Sequence, residues 1–353
     1  MKILLLSADN LYLVPYKELY LSICKKNNIE YDIIFWDKSN NEVINGNNIK
    51  RFSPTGRSKL KRIIHYFRFR KIIKNQIRSE KYDYIIGLHP IINLLIFNIL
   101  ITKFRFRYIY DIRDYSFEYL FFVKWIEKFL CKYSKINIIS SEGYKCFLPK
   151  AKYEIIHNLP PYIDKKYKQI NPSVNQKVII SYIGLIRFME QNCRIIDFFA
   201  NDNRFLIKFV GTNAEDLKKY CIKNNIHNVF CVGTFPQEKT LEFYENTDLI
   251  MNLYGNNTPL LDYALSNKLY YAASLYKPIL VSEGTFMEKV SHQYGFGFTL
   301  KMEKEEEKDE LYNYIKNLNR DELISNCEEF MKKVNYEQVK TVEKLENILR
   351  KEQ

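Results

Sequence analysis

Short apolar runs and helical patterns alternate along this chain, in two successive series. In the first half, residues 3–7, 31–36, 83–88, 108–112 and 136–140 are Ile-, Leu- and Tyr-rich runs of strand length. None alternates strictly between apolar and polar positions, as expected of strands covered on both faces. Helical spacing occupies 15–26, 60–77, 91–101 and 117–132, the first with Pro15 near its start. Strand, helix, strand in this order predicts a doubly wound parallel sheet. A second series follows, with strands at 178–183, 206–210, 229–232, 249–253 and 279–281 and helices near 191–200, 216–224, 237–245 and 268–275. The tail from 303 to 353 is charged and helical, and its acidic run at 303–310 reads as a solvated helix start. Between the series, residues 158–175 hold Pro160, Pro161 and Pro172 with little periodicity, and read as a linker. The expected architecture is α/β, with two Rossmann-like doubly wound domains, 1–165 and 173–353, facing across a cleft. The last helix is free to pack back on the amino-terminal domain.

Size and composition agree with two domains. A chain of 353 residues with 46% apolar content exceeds what one core usually accommodates. Aromatic residues make up 15%, which excludes a disordered chain. The seven cysteines include no C-x-x-C pair, so neither a zinc ribbon nor a thioredoxin-type motif is written here. Scattered reduced thiols suit a cytoplasmic protein. The opening does not read as a secretory signal, because Asp9 ends its apolar stretch early. The uncharged run 84–102 is long enough to span a bilayer, but it contains His89, Pro90, Asn93 and Asn98. It reads instead as a strand, a turn and a buried helix.

Charge separates the halves. Residues 1–172 hold 31 Lys and Arg against 15 Asp and Glu, a net of +16; the remainder holds 23 against 26, a net of −3. A basic half points to an anionic partner such as nucleic acid, a membrane surface or a phosphorylated substrate. No RNP, KH or helix-turn-helix signature is present, so nucleic acid is not the expected partner.

In open α/β sheets ligands gather at the carboxyl ends of strands. In the second series that rule nominates Gly184–Arg187, Gly211–Asn213, Gly233–Pro236 and Gly255–Pro259, each with a glycine just after an apolar strand. Glycine lets backbone approach a ligand closely. Thr258 reads as a helix N-cap and Pro259 as the first helical residue, an arrangement that offers amide donors to a phosphate. Lys268 and Arg187 can add full charges to the same anion. There is no GxxxxGK[ST], no GxGxxG and no D-x-D metal motif, so no metal site and no cofactor are expected.

Several segments occur in order: Tyr182-Ile183-Gly184, Phe209-Val210-Gly211, Val232-Gly233-Thr234-Phe235-Pro236-Gln237-Glu238, Ser266-Asn267-Lys268-Leu269-Tyr270 and Lys277-Pro278-Ile279-Leu280-Val281-Ser282. Over about 110 residues this resembles the nucleotide-sugar-binding half of GT-B glycosyltransferases, especially glycosyltransferase family 4, common in bacterial capsule and surface-polysaccharide assembly. The resemblance implies a hexosyl transfer, metal-independent and retaining, from a UDP- or GDP-linked sugar that is substrate rather than cofactor. It implies that Gly184 lies near the donor diphosphate with Arg187 as its clamp. Gly211 and Thr212 lie beside them, while Gly233, Thr234, Phe235 and Glu238 line the base. Thr258, Pro259, Leu260, Asn267 and Lys268 face phosphate or ribose. Tyr271 and Tyr263 stand where relatives usually carry glutamates that hold ribose and sugar hydroxyls. Asn192 and Arg194 stand where a second cationic side chain, a lysine, is usual.

The amino-terminal half is expected to hold the acceptor, a glycan or a lipid-diphosphate-linked glycan. His89 follows a strand and precedes a helix, and Asp111, Arg113 and Asp114 end the next strand. His89 or Asp114 can act as a general base or orient sugar hydroxyls; Glu142 is a weaker candidate. Residues 57–81 hold ten basic residues and one acid, Glu80. There Leu60, Ile63, Ile64 and Phe67 share a helical face opposite Lys61, Arg62 and Arg68, and the phase slips after Arg68. In 117–132, Lys124, Lys128 and Lys132 form a stripe among Phe121, Phe122, Trp125, Ile126 and Phe129. With Lys103, Arg105 and Arg107 these suit an anionic membrane surface, placing the protein peripherally on the inner face of the cell membrane. Two other functions fit the pattern: a non-catalytic GT-B-like binding or partner protein, favoured by Tyr263 and Tyr271, and a nucleotide-sugar epimerase.

Overall fold

The computed structural model of the chain describes residues 1–43, 46–56, 58–160, 163 and 177–350. Arg57 and most of the expected linker, with Pro161 and Pro172, lie outside the described residues. The chain divides into two compact units: Met1–His157 with Glu337–Gln353, and Asn158–Tyr336.

The first unit is built on a seven-stranded sheet of β1 (Lys2–Ser7), β2 (Glu30–Trp36), β3 (Ile49–Phe52), β4 (Tyr84–Gly87), β5 (Tyr108–Ile112), β6 (Ile136–Ile139) and β7 (Glu154–Ile155). Their order is β3-β2-β1-β4-β5-β6-β7, and every adjacent pair is parallel. The second unit holds β8 (Val178–Ile183), β9 (Phe205–Val210), β10 (Val229–Val232), β11 (Leu249–Asn252), β12 (Ile279–Val281) and β13 (Gly297–Thr299). These run parallel in the order β10-β9-β8-β11-β12-β13. Both orders reverse direction once, at β1/β4 and at β8/β11, and a reversal of this kind opens a crevice at the carboxyl edge of a doubly wound sheet. The central strands are buried along their length, which is why their sequences read as unbroken apolar runs.

Helices cover both sheets. In the first unit the core joins Ile3 and Leu5 of β1 to Tyr20, Ile23 and Cys24 of the helix Lys17–Lys26, and to Leu345 and Leu349. Those leucines belong to the end of the 31-residue helix Arg320–Arg350, which Lys26 and Glu346 tie to the unit at 2.8 Å. Among the described residues no helix is long and apolar enough to cross a membrane. The run expected to form one helix at 91–101 is two, Pro90–Leu95 and Phe97–Thr102, separated at Ile96. The helix expected from 117 starts at Phe121, and 117–120 form a turn before it.

Candidate functional site

The switch point of the second sheet brings together the loops after β8 and β9 and the helix Asn267–Ser274. Gly184, after β8, has φ +120°, and Gly211, after β9, has φ +139°. A Cβ on Gly211 would lie 1.9 Å from the Gly184 carbonyl oxygen, so only glycine lets the two turns touch. The contact is laced by Gly184 N–H donating to Val210 O (2.9 Å), Ile186 N–H to Thr212 O (3.1 Å) and Asn213 Nδ2 to Ile186 O (3.0 Å). A Cβ on Gly184 would meet one atom within 4 Å, the ammonium of Lys268 at 4.0 Å. The missing side chain therefore leaves open space directly in front of a cation.

Lys268 is placed by its own helix. Ser266 caps it, its hydroxyl accepting from Lys268 N–H, and the side chain runs inward. The residue is only 4% exposed. Its ammonium lies over the rings of Tyr182 (4.3 Å) and Tyr254 (5.4 Å) and donates to Tyr254 Oη at 2.8 Å. Ring faces attract a cation, but they replace only part of a lost hydration shell. Burial pushes the Lys268 pKa down; Tyr182 opposes the shift and nearby Arg187 adds to it. An anion in the open space would supply what the ammonium lacks.

Arg187 is exposed, and its backbone is fixed from two sides: its N–H donates to Tyr182 Oη at 3.3 Å, and Asn192 Nδ2 donates to its carbonyl at 2.6 Å. Asn192 thus positions the Arg187 loop. Phe188, next in the chain, holds left-handed backbone (φ 59°) with its ring 5.4 Å from Tyr254. A bulky residue there costs roughly 1 kcal/mol, and the turn it makes keeps Arg187 near Lys268.

The other nominated residues are spread along the same sheet edge. Thr212 and Thr234 meet through their hydroxyls at 3.2 Å, joining the loops after β9 and β10. Gly233 is half-buried and Glu238 exposed, whereas Phe235 turns into the unit and packs on Phe243 at 4.8 Å. Thr258 caps Pro259–Tyr263 by accepting from Leu261 N–H, with Pro259 and Leu260 in a first turn of a five-residue helix. Asn267 is exposed. Tyr271 is buried in the core, its ring 5.0 Å from Tyr244, because it sits on the inward side of its helix. Sequence reading did not single out Tyr254, the closest polar partner of Lys268; an isolated tyrosine after a strand gives no signal of that role.

The first unit gathers ionisable groups at its own switch point. His89 follows β4 and caps the helix Pro90–Leu95, with Nδ1 accepting from Ile91 N–H at 3.2 Å. The proton of the neutral ring is then on Nε2, which makes His89 a donor there. Burial pushes its pKa down; Asp114 and Asp9 pull it back up and Lys38 adds to the fall. His89 therefore stays neutral near pH 7, suited to orienting a hydroxyl rather than removing its proton. Asp114 is exposed beside it. Asp111 does not face solvent: it forms a buried ion pair with Arg113 (2.7 Å) and accepts from Tyr20 Oη (2.7 Å). Glu142 is exposed and pairs with Lys145 at 3.0 Å.

No family model matches the chain. No curated protein matches it in sequence. Solved structures do match it over nearly their whole length. Sucrose-phosphate synthase from Thermosynechococcus elongatus is 11% identical with a TM-score of 0.70, covering 99% of both chains. HepE of Anabaena in complex with UDP is 13% identical with a TM-score of 0.67, covering 98% of this chain and 99% of that one. The lipopolysaccharide outer core galactosyltransferase WaaB, in its apo form, is 13% identical with a TM-score of 0.64, covering 97% of this chain and 99% of that one. The chain has the fold these structures share, the GT-B fold of two Rossmann-like α/β units.

Proposed function

We propose that the protein is a glycosyltransferase that uses a nucleotide-diphosphate sugar, UDP- or GDP-linked. The observation that carries this reading is the buried, underhydrated ammonium of Lys268 behind the open space at Gly184, with Arg187 in electrostatic reach. In the reaction the bond from the anomeric carbon to the β-phosphate oxygen breaks, and its electron pair leaves with the diphosphate. An acceptor hydroxyl forms the new bond and gives up its proton to a base, for which Asp114 or the departing phosphate is suited. Lys268 and Arg187 stabilise the charge that develops on the diphosphate, without a metal ion. The HepE structures hold UDP and UDP-glucose on the same fold, which supports this donor class. We place the acceptor, a glycan or lipid-diphosphate-linked glycan of a surface polysaccharide, at the His89 and Asp114 edge of the first unit. Transfer is of a hexosyl group with retained configuration, in the cytoplasm at the inner face of the membrane.

A second reading is a non-catalytic sugar-nucleotide-binding protein. Tyr263 and Tyr271 favour it, since neither position offers a carboxylate to the donor. Calorimetry with a panel of UDP- and GDP-sugars, followed by assay of the binding donor for turnover, separates the two. The enzyme reading expects one base class to bind and be consumed. Binding without consumption favours the second reading, and no binding by any member overturns both.

A further inference from the structure

Helices on a sheet ordinarily bury their apolar stripe. Two helices of the first unit bury apolar residues and carry further apolar residues on their outer face as well. In Lys59–Ser79 the residues turned to the sheet are Phe69, Ile73 and Ile77, while Ile63, Ile64 and Phe67 are 55%, 53% and 65% exposed. The phase slip after Arg68 is the change between these two faces, within one unbroken helix. In Phe121–Tyr133 Val123, Leu130 and Cys131 are buried together with the carboxyl of Glu127, while Phe121 is 85% and Trp125 54% exposed, with Phe122 beside them. Burying a carboxyl beneath exposed phenylalanines is unfavourable twice over in water. It is the expected arrangement where the outer medium is itself apolar.

The helices are neighbours. Phe97–Thr102 packs beside Phe121–Tyr133, and Arg70 reaches Asn98 at 2.8 Å from the other side. Residues 58–79 and 97–107 contain no acid, and the two acids of 117–133, Glu118 and Glu127, are both fully buried. Among the described residues of this layer the exposed charges are therefore all positive, including Arg62, Arg68, Lys124, Lys128 and Lys132. Phe121, Lys124, Trp125, Lys128 and Lys132 follow helical spacing along one stripe, so cations and aromatic rings point the same way.

We propose that this face docks the protein on an anionic lipid bilayer. The aromatic and aliphatic side chains enter the interface, and the lysines and arginines meet acidic headgroups. A second copy of the chain is disfavoured as occupant, because two such faces repel. The inference names the surface behind the peripheral placement proposed above and rests on that placement, not on the transfer reaction.

The chain's two tryptophans give a direct readout, since Trp36 is buried and Trp125 lies on the stripe. With vesicles of phosphatidylcholine containing 30% phosphatidylglycerol, the full chain should co-sediment, and Trp125 emission should shift to the blue and resist iodide quenching. Pure phosphatidylcholine should leave both nearly unchanged. Lys124→Glu with Lys128→Glu should lower partitioning roughly 25-fold or more, at about fivefold per lysine, while nucleotide-sugar binding by calorimetry is unchanged. Equal partitioning to both vesicle types, binding to duplex RNA in place of vesicles, or shielding of Trp125 by self-association without lipid would each overturn the proposal. Vesicle binding by a protein that turns over no donor removes the transfer reaction and leaves the docking face; turnover indifferent to lipid does the opposite.

Discussion

Lys268→Met lowers kcat/KM for donor turnover by about 10²–10³-fold, the loss typical of removing one preorganised group that meets developing charge, and it does so without unfolding the protein. The structure gives the sign of the second effect. Folding holds the Lys268 pKa below its ordinary value, chiefly through burial. The charged form is thus penalised in the native state at neutral pH, and an apolar side chain of similar length removes that penalty. The melting temperature of the variant should equal or exceed that of the native protein while activity collapses. A group retained against stability is the mark of function. Arg187→Ala should also reduce turnover with no change in melting, since Arg187 is exposed. If Lys268→Met kept full turnover, or lost it only by unfolding, the ammonium would be structural.

Glu127→Gln stabilises the first unit at neutral pH by on the order of 3 kcal/mol. Glu118 and Glu127 adjoin inside the unit. Glu127 accepts from Tyr110 Oη at 3.2 Å and Glu118 from Ser116 N–H, which leaves Glu118 Oε1 and Glu127 Oε2 buried without a donor. Burial first, and the Glu118 charge second, push the Glu127 carboxyl up to about 8; burial raises Glu118 as well. A proton held by Glu127 satisfies the pair. In the unfolded chain Glu127 ionises near its ordinary 4.5, so the native state binds the extra proton between about pH 4.5 and 8. Its contribution is full below 4.5 and is lost as pH rises through 8. Glutamine mimics the protonated form at every pH. The stability difference should therefore be near zero at pH 4.5, grow through neutrality and level off above 8. Both tryptophans, Trp36 and Trp125, lie in the first unit, so fluorescence during denaturation reads that unit alone. A variant destabilised equally at all pH values would show that the pair is not proton-linked.

The central strands were legible because burial on both faces writes them as continuous apolar runs: β5, β8 and β12 match the expected segments residue for residue, and so does the half-buried edge strand β10, whose residues Val229-Phe230-Cys231-Val232 are all apolar. The edge strands β3, β7 and β13 were not. Their residues are half-buried or exposed, as in Ile49-Lys50-Arg51-Phe52, so no apolar run marks them. The turn glycines Gly184 and Gly211 and the cation Lys268 were legible from position after a strand or near a helix start. The aromatic box of Tyr182 and Tyr254 was not, because it depends on two strand ends meeting at the switch point. The outward-facing apolar residues of Lys59–Ser79 defeat periodicity in another way. The pattern locates an apolar face but does not say what the face meets.

Whether the space in front of Gly184 receives a diphosphate held by Lys268 is open to direct measurement. The most direct measurement is a structure of the native chain soaked with UDP or GDP. Phosphate oxygens are expected over Gly184 within hydrogen-bonding distance of Lys268 Nζ, with the Arg187 guanidinium turned onto the same group. A nucleotide bound elsewhere, or one whose phosphates leave the Lys268 ammonium with Tyr254 as its only polar partner, would contradict it.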